Sequence, residues 1–346
     1  MAASLATPSS ASDHLNHDAS STARAMRAIV QTAYGGPDRL SMSTIGRPAI
    51  GANEVLVRVR AAGLDRGTWH LMKGEPYVAR LAFGMRAPRR RVPGLDLAGT
   101  VVATGADVTR CQPGDEVFGI GGGSFAEFAA AREDKLALKP SNLSFEQAAV
   151  VPVSGLTALQ GLTDVGRLEA GQRVLITGAS GGVGSYAVQI AKALGAEVTG
   201  VCGTAKVDFV RSLGADHVLD YTREAYADGS ATYDLILDIG GSTPVRRLRR
   251  ALTDRGTLVI VGGEGGDRVL GIGRQLRAVM LSPFVRQRLA MLVSSENHAD
   301  LERLAAMLER GDIVPAVDRT YPLSDVPAAI RRLEAGQVRG KLAITM

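Results

Sequence analysis

The sequence predicts an α/β protein in which a parallel sheet flanked by helices adjoins a second, mostly antiparallel β domain. Three observations support this class. Residues 173–192 read as a buried strand, a glycine-rich turn and a helix, strands and helices alternate after this stretch, and short strands broken by glycine and proline precede it. A chain of 346 residues is long enough for two domains, each with its own core.

Short β-segments dominate the chain before the glycine-rich turn, because apolar runs alternate there with turn residues. The predicted strands lie at residues 26–35, 55–63, 96–105, 115–120 and 124–131. Ser144 then begins a helical pattern, since serine caps helices and apolar residues follow it at helical spacing. The first part of the chain is therefore predicted to be a compact β domain.

Strands and helices alternate in the part that follows, as in βαβ units. Parallel strands are predicted at residues 174–176, 197–201, 215–221, 233–241 and 256–263, with a last one at 288–293. A helix at residues 298–311 comes next, and the tail from residue 313 supplies an extended segment, a helix and a final strand. In the simplest topology the chain leaves the β domain, builds the parallel sheet and returns.

The glycine-rich turn between the first parallel strand and its helix predicts a dinucleotide site. Glycine allows positive φ and close approach of a diphosphate, and a helix N-terminus offers unpaired N–H groups. The pattern resembles GxGxxG with alanine in the first place, and its residues are Ala179, Ser180, Gly181, Gly182, Val183 and Gly184. An ordinary tight crossover from strand to helix is the alternative. The strand before the turn and the helix after it favour dinucleotide binding.

The end of the second parallel strand indicates which nicotinamide cofactor is preferred. NAD sites usually place an Asp or Glu there for the ribose hydroxyls, whereas this chain has Cys202 followed by Gly203, Thr204 and Ala205. Thr204 offers a hydroxyl and Lys206 a positive charge, which favours NADP over NAD. The alternative for Lys206 is an ordinary solvated lysine in the first turn of the next helix.

Charge and cysteine content limit the partners. The net charge is +5, and the basic run RAPRRR at residues 86–91 lacks interleaved aromatic residues. A solvated loop is favoured over an RNA or membrane contact, so no nucleic acid and no membrane is expected. Cys111 and Cys202 lie far apart in sequence, which indicates a reducing compartment and speaks against a structural metal site.

The first 25 residues are rich in Ser, Ala and Thr and contain no apolar run. They match neither a secretory signal nor a good organellar transit peptide, so a disordered extension and a cytoplasmic location are expected.

Several motifs now agree in order with a known family. They are GLDLAG at residues 94–99, CQPGDEVFG at 111–119, VPVSGLTAL at 151–159, the glycine turn, and RGKLAI at 339–344. Over residues 26–346 the chain resembles the medium-chain dehydrogenase/reductase superfamily, and within it the zinc-free quinone oxidoreductase branch. The resemblance implies a GroES-like catalytic domain from residues 26–148 and 314–346, and a Rossmann NADP-binding domain with a doubly wound parallel sheet at residues 149–313. It also implies a cleft between them and a homodimer joined through the Rossmann sheets.

The positions that hold catalytic zinc in other members of this superfamily argue against a metal here. The matching places carry Asp65, Leu95 with Asp96, and a site near Ser154. A single oxygen ligand without thiolate or imidazole does not make a tight tetrahedral zinc site. The prediction is therefore that no metal is bound.

The resemblance also implies roles for individual residues. Ser154, Thr157 and Gly262 orient the nicotinamide, Tyr221 lies over the adenosine ribose, and Lys341 reaches the cofactor. Asp65, Trp69 and Tyr77 line the substrate side, with Tyr77 as a hydrogen-bond donor to the acceptor oxygen. For Trp69 and Tyr77 the alternative is that they are simply core aromatic residues.

Three functions stay open from the sequence. Without a Lewis acid, hydride transfer from NADPH to a quinone or an α,β-unsaturated carbonyl is favoured, because the charge delocalises onto the acceptor oxygen. A reductase of enoyl thioesters is the second hypothesis, and residues 86–91 would suit a CoA or phosphopantetheine substrate. A low-turnover NADPH-binding protein with a regulatory or RNA-binding role is the third.

Overall fold

The structure is a computed structural model, and it describes residues 25–262 and 273–346. The strands are β1 (Ala25–Gln31), β2 (Leu40–Gly46), β3 (Glu54–Leu64), β4 (Asp96–Thr104), β5 (Glu116–Ile120), β6 (Phe128–Arg132), β7 (Leu136–Leu138), β8 (Arg173–Thr177), β9 (Glu197–Cys202), β10 (His217–Asp220), β11 (Tyr233–Asp238), β12 (Leu252–Ile260), β13 (Arg288–Met291), β14 (Val317–Pro322) and β15 (Lys341–Thr345). The helices are α1 (Arg66–Lys73), α2 (Arg80–Phe83), α3 (Phe145–Ala149), α4 (Pro152–Gln160), α5 (Gly182–Ala193), α6 (Val207–Ser212), α7 (Val245–Arg250), α8 (Gly273–Leu281), α9 (His298–Arg310) and α10 (Val326–Glu334).

The first and last parts of the chain share one sheet. Its strand order is β14-β15-β3-β4-β5-β7, and β6 pairs with β3. Neighbours are antiparallel except β14 and β15, which are parallel. Strand β3 shows why the sheet has one buried face: Val55, Val57 and Val59 are buried, while Arg58 and Arg60 between and after them are exposed. Strands β1 and β2 form a separate antiparallel hairpin.

The middle of the chain forms a six-stranded sheet whose neighbours are all parallel, in the order β10-β9-β8-β11-β12-β13. In chain order this is 3-2-1-4-5-6, so the direction of winding reverses between β8 and β11. The central strand β8 is buried on both faces, which is why Val174, Leu175 and Ile176 are consecutive apolar residues. The predicted α/β class, with a doubly wound parallel sheet beside a mostly antiparallel domain, is confirmed. In such sheets ligands bind at the carboxyl ends of the strands, where the order reverses.

Several predicted boundaries need correction. The strand predicted at residues 26–35 ends at Gln31, and of the segment 124–131 only the part from Phe128 lies in a strand, β6. The helical stretch after Ser144 is two helices, because Pro152 opens α4 as a new first turn. Ser144 caps α3 as expected, through a capping box with Gln147. Of the expected N-terminal extension, residues 1–24 lie outside the described residues, and Ala25 opens β1.

The structure also contains a helix that the sequence pattern did not predict. Helix α1 follows β3 directly: the Asp65 carboxylate accepts a hydrogen bond from the Thr68 backbone N–H at 2.8 Å, and Gly74 ends the helix with φ of 65°. An aspartate cap and a left-handed glycine are typical helix boundaries. A short helix between two long strands gives only a weak sequence pattern, so it is easily overlooked.

Candidate active site

The glycine-rich turn lies at the carboxyl end of β8, where the sheet order reverses. Gly178 makes the sharp turn with φ of 68°, and Gly181 is the residue before the first turn of α5. A Cβ at Gly184 would lie 2.7 Å from the Ala179 backbone, so only glycine allows this helix to start so close to the strand. The predicted strand, turn and helix are therefore present, and the first N–H groups of α5 face the crevice that dinucleotides use in such folds.

The remaining residues of the turn connect it to the antiparallel sheet. Ala179 is buried and its N–H donates to Val201 of β9. Ser180 is also buried, and its carbonyl accepts a hydrogen bond from the Gly340 N–H at 2.9 Å. Val183 packs on the core of the parallel sheet. The segment before β15 thus lies directly against the glycine-rich turn, which is predicted to bind the diphosphate.

Lys341 opens β15 and is the central polar residue of this contact. Its side chain is buried, and its ammonium donates to Asp96 of β4 and to the Ser154 hydroxyl of α4, both at 3.1 Å. A Cβ at Gly182 would lie 2.9 Å from the Lys341 side chain and 3.1 Å from the Ser154 hydroxyl. The structure therefore brings Ser154, Gly182 and Lys341, three of the predicted cofactor residues, into one cluster.

Asp96 completes this cluster, although the sequence analysis treated it only as a former metal position. Its carboxylate also accepts a hydrogen bond from the Val153 N–H, at 2.8 Å, in the first turn of α4. Burial raises the pKa of Asp96 from 3.8 to about 7, although the positive charge of Lys341 lowers it. Asp65 raises this pKa further through its negative charge. A buried carboxyl thus holds one buried ammonium at the junction of the two sheets.

The predicted ribose and phosphate end of the site lies at the carboxyl ends of β9 and β10. Thr204 is exposed there, and its hydroxyl donates to the Asp220 carboxylate at 2.5 Å. This hydrogen bond is the main reason that the pKa of Asp220 is lowered. Tyr221 is 59% exposed, and its hydroxyl lies beside Gly203, at 3.3 Å from where a Cβ would stand. No carboxylate follows β9 in the sequence, and Asp220, which β10 contributes, was not predicted to lie here.

Lys206 is not a solvated lysine, as its alternative reading held. Its ammonium donates to the carbonyls of Gly336 and Val338, both at 2.8 Å. Burial lowers the pKa of Lys206, the negative charge of Asp318 raises it, and the positive charges of Arg339 and Arg66 lower it. Lys206 therefore has carbonyl partners, and both basic and acidic side chains lie near enough to influence its charge.

A polar cluster that sequence reasoning missed lies at the reversal of strand order. Thr177 ends β8 and donates to the buried Asp238 carboxylate, which ends β11, at 2.7 Å. Arg274 of α8 lies 2.5 Å from the other Asp238 oxygen, and the Gly240 N–H donates to the Thr177 hydroxyl at 3.1 Å. These residues fix the two loops between which a dinucleotide would lie. In the sequence, this cluster is indicated only by two strands that end in Thr and in Asp, each followed closely by glycine.

The two further residues predicted at the nicotinamide lie on separate elements. Gly262 follows β12, and a Cβ there would stand 2.6 Å from the Ile239 carbonyl oxygen, so a side chain would not fit. Thr157 is half-buried in α4, and its hydroxyl donates to the Val153 carbonyl at 2.6 Å.

The predicted substrate residues are dispersed. Asp65 is the cap of α1, and its carboxylate is occupied by Thr68. The indole N–H of Trp69 donates to Glu334 of α10 at 2.8 Å. Tyr77 is 43% exposed, with the Arg80 guanidinium 4.6 Å from the centre of its ring. Trp69 therefore joins α1 to α10 and packs, half-buried, on the core of the antiparallel domain, whereas Tyr77 lies outside that core.

A cavity of about 610 Å³ opens on the same side of the antiparallel domain as α1. Its apolar wall includes Leu71, Met72, Phe83, Val92, Leu95 and Ile120. Leu95 directly precedes Asp96 and packs on the core of the parallel sheet. The cavity thus includes the residue next to Asp96, while Asp96, Ser154 and Lys341 themselves do not line it. A volume of this size is ordinary for small-molecule sites.

The donor set does not fit a zinc site. Among residues 25–262 and 273–346 there is no group of three or more His, Cys, Asp or Glu side chains placed to hold a metal ion. At the positions discussed above, Asp65 caps a helix and Asp96 holds Lys341. Of the helices in the same two ranges, none is long and apolar enough to cross a membrane.

Together, a doubly wound parallel sheet with a glycine turn at its switch point, an antiparallel β domain and a cavity beside their junction define a nicotinamide-dependent oxidoreductase. Residues 51–141 match the family model for the alcohol dehydrogenase GroES-like domain, and residues 213–344 match a model described as zinc-binding dehydrogenase. The chain belongs to the medium-chain dehydrogenase/reductase superfamily, in its quinone-oxidoreductase-like branch.

Individual relatives resemble almost the whole chain. A chloroplast envelope quinone oxidoreductase homolog of Arabidopsis thaliana is 32% identical over 92% of this chain and 98% of its own. A chloroplastic NADPH-dependent alkenal/one oxidoreductase of the same plant is 34% identical over 92% of this chain and 79% of its own. The solved quinone oxidoreductase from Coxiella burnetii superposes with a TM-score of 0.83 at 29% identity, covering 93% of this chain and 99% of its own.

Proposed function

We propose that this protein is an NADPH-dependent reductase that transfers hydride to a quinone or to an α,β-unsaturated carbonyl compound. The observation that carries the proposal is the glycine-rich turn at the reversal of strand order, with the buried Lys341 ammonium beside Gly182. An apolar cavity opens in the adjoining antiparallel domain. The names of the two Arabidopsis relatives, a quinone oxidoreductase homolog and an alkenal/one oxidoreductase, support the same acceptor classes.

The residues of the turn fit a bound dinucleotide. The N–H groups at the start of α5 and the Lys341 ammonium would hold the diphosphate, because both are positive and fixed in place. Ser154 on one side and Gly262 on the other would border the nicotinamide, which when bound supplies the hydride. The cavity wall excludes water from the acceptor carbon and so favours transfer over side reactions.

The acceptor class follows from the absence of a zinc donor set at Asp65 and Asp96. An alcohol substrate needs its developing alkoxide stabilised, whereas in a quinone or enone the charge delocalises onto the carbonyl oxygen and water supplies the proton. Catalysis without zinc is therefore part of the proposal. Asp65 and Trp69 are occupied by structural contacts, so Tyr77 is the one predicted substrate residue that stays a candidate donor to the acceptor.

The preference for NADPH is supported by the charges around the end of β9. Arg339 and Arg66 lie close enough to influence the charge of Lys206, as does Asp318, and phosphate is well recognised by basic groups of this kind. Thr204 and Tyr221 lie at the same end of the parallel sheet. Asp220 opposes this preference, but its carboxylate is engaged by Thr204 and Thr222.

We extend the proposal to the organisation of the molecule. Residues 26–148 and 314–346 form the catalytic domain, and residues 149–313 form the Rossmann domain. A homodimer would join two parallel sheets at β13, since the described strands leave the outer edge of β13 without a neighbour. A cytoplasmic location and the absence of a nucleic-acid partner remain part of the proposal.

Reduction of an enoyl thioester is a second candidate, favoured by two arginines at the cavity, Arg89 and Arg90.

Both candidates are tested by the oxidation of NADPH, followed at 340 nm, with a benzoquinone, an ortho-quinone, an alkenal, an enone and crotonyl-CoA, each repeated with NADH. Turnover of quinones or enones with a strong NADPH preference is expected. Tight NADPH binding without turnover of any acceptor would contradict the proposal and favour a binding role. Elemental analysis of the purified protein tests the zinc-free part, because stoichiometric zinc would overturn it.

A further inference from the structure

The segment between α2 and β4 carries two arginines that face the cavity, Arg89 and Arg90. A solvated loop was predicted here, and in the structure the side chains of Arg89 and Arg90 are exposed on a loop whose backbone is hydrogen-bonded. The Arg89 N–H donates to the Phe83 carbonyl at 2.8 Å, and the Arg91 carbonyl accepts from the Gln31 N–H at 2.7 Å. The backbone is therefore anchored on both sides of the two arginines, which holds their side chains near the cavity entrance.

Other charged side chains around the cavity already have partners. Arg132 makes two contacts with Asp134, at 2.9 and 2.6 Å, and Lys135 binds Glu296 at 2.6 Å. The Glu54 carboxylate accepts a hydrogen bond from the Gly51 N–H at 2.8 Å. Arg89 and Arg90, by contrast, make no ion pair with any residue in the described ranges of the chain. Two arginines without ion pairs thus lie at the rim of the cavity, to which Glu54 contributes a carboxylate.

The position of Arg90 depends on a glycine. Its guanidinium lies over Gly122 just beyond β5, and a Cβ at Gly122 would overlap it. Residues 121–123 are all glycine, so this wall has no side chain that would exclude the guanidinium. The guanidinium of this exposed residue therefore lies against the backbone of the cavity wall.

We infer that the acceptor is amphiphilic: its apolar, electrophilic part enters the cavity, and an anionic group at its far end binds Arg89 and Arg90. This inference rests on the proposed function and names its substrate class. Guanidinium groups bind carboxylates and phosphates well because they donate two parallel hydrogen bonds. The anion can be the carboxylate of an oxidised fatty acid or the phosphate of a pantetheine thioester, and the experiment distinguishes them.

The test compares acceptors that differ only in charge. With NADPH, kcat/KM is measured for 4-oxo-2-nonenoic acid and its methyl ester, and for crotonyl-CoA and the uncharged N-acetylcysteamine thioester of crotonic acid. The acid is expected to exceed its ester by about tenfold or more, since a charged hydrogen bond contributes that much. A preference for CoA over the uncharged thioester, without one for acid over ester, would assign the site to phosphate. Equal rates within both pairs would overturn the inference.

The variants locate the effect. Arg89→Gln with Arg90→Gln should remove the preference for the charged acceptor and leave the ester unchanged. Gly122→Ala should do the same in weaker form, because the new Cβ displaces a flexible side chain and leaves the fold intact. The matched control is Arg86→Gln, an exposed arginine outside the cavity wall. An equal loss for acid and ester in the double variant would contradict the inference.

A binding measurement separates this inference from the proposed function. Calorimetric titration of the NADP⁺-loaded protein with nonanoate and with methyl nonanoate detects the anion site without any turnover. Nonanoate binding that is lost in the double variant, with no reduction of any acceptor, would sink the proposed function and keep the anion site. Reduction of the ester without any preference for the anion would keep the proposed function and overturn the anion site.

Discussion

The ammonium of Lys341 and the carboxylate of Asp96 lie 3.1 Å apart, and both side chains are buried. The pair joins the first residue of β15 to the first residue of β4, beside the start of α5. Removing one partner of a buried ion pair usually leaves an uncompensated charge. Here the cost is limited when Lys341 is removed, because Asp96 already has a raised pKa and can take up a proton.

Lys341→Met should therefore fold, and it should weaken NADPH and NADH to the same degree, by about tenfold or more, because a diphosphate common to both loses a charged partner. Fluorescence titration of each cofactor measures this. Lys192→Met, which removes a surface ion pair with Asp216, is the control and should bind both cofactors normally. A loss confined to NADPH would mean that Lys341 contacts the 2′-phosphate instead.

Asp96 should also make stability depend on pH. Its pKa in the folded protein, about 7, lies above the ordinary value of 3.8. The folded state therefore binds this proton more tightly, and its stabilising effect, fully present below the ordinary pKa, is lost as pH rises towards 7. Relative to Asp96→Asn, which cannot titrate, the wild-type free energy of unfolding should fall by on the order of 3 kcal/mol between about pH 5 and about pH 9.

Denaturant unfolding of both proteins across this range gives the difference directly. Most of the fall should come below pH 7, with a plateau above it, since both states are then ionised. A difference that increases with pH would mean that Lys341 lowers the pKa of Asp96 more strongly than burial raises it.

Lys206→Ala should weaken NADPH by about tenfold or more and leave NADH nearly unchanged, because only NADPH carries the 2′-phosphate. The ammonium already contacts the carbonyls of Gly336 and Val338, so a phosphate would have to share or replace these contacts. Comparison of the two dissociation constants is the measurement. Equal loss for both cofactors would indicate that Lys206 only holds the C-terminal loop in place, and Arg339→Ala would then be the better probe of the phosphate site.

The glycine turn was predictable because its determinants are local. A buried strand, glycines and a helix follow one another within residues 173–192, and the backbone requires those residue types at those places. The return of the chain to the first sheet was predicted from the order of the elements and from the family resemblance, because β15 pairs with the distant β3. Here the sequence order alone gives the fold class and the diphosphate end of the site.

The contacts that the sequence analysis missed join residues far apart in the chain. Asp220 meets Thr204 only because β10 and β9 are neighbours, and Asp238 meets Thr177 only because β11 pairs with β8. Trp69 was assigned to the substrate by its place after β3, but helix α1 turns its indole towards Glu334. The sequence pattern did not reveal helix α1, so the direction of its side chains could not be predicted.

Trp69→Phe tests this last correction. The change removes the hydrogen bond to Glu334 and should lower the free energy of unfolding by roughly 1 kcal/mol, while kcat/KM for quinone and enone acceptors stays within about twofold. Unfolding by urea and steady-state kinetics measure the two effects. Glu334→Gln weakens the same hydrogen bond from the other side and should shift stability in the same direction. If Trp69→Phe instead lowered kcat/KM by more than about tenfold at unchanged stability, the indole would contact the acceptor, and the contact with Glu334 would not persist during catalysis.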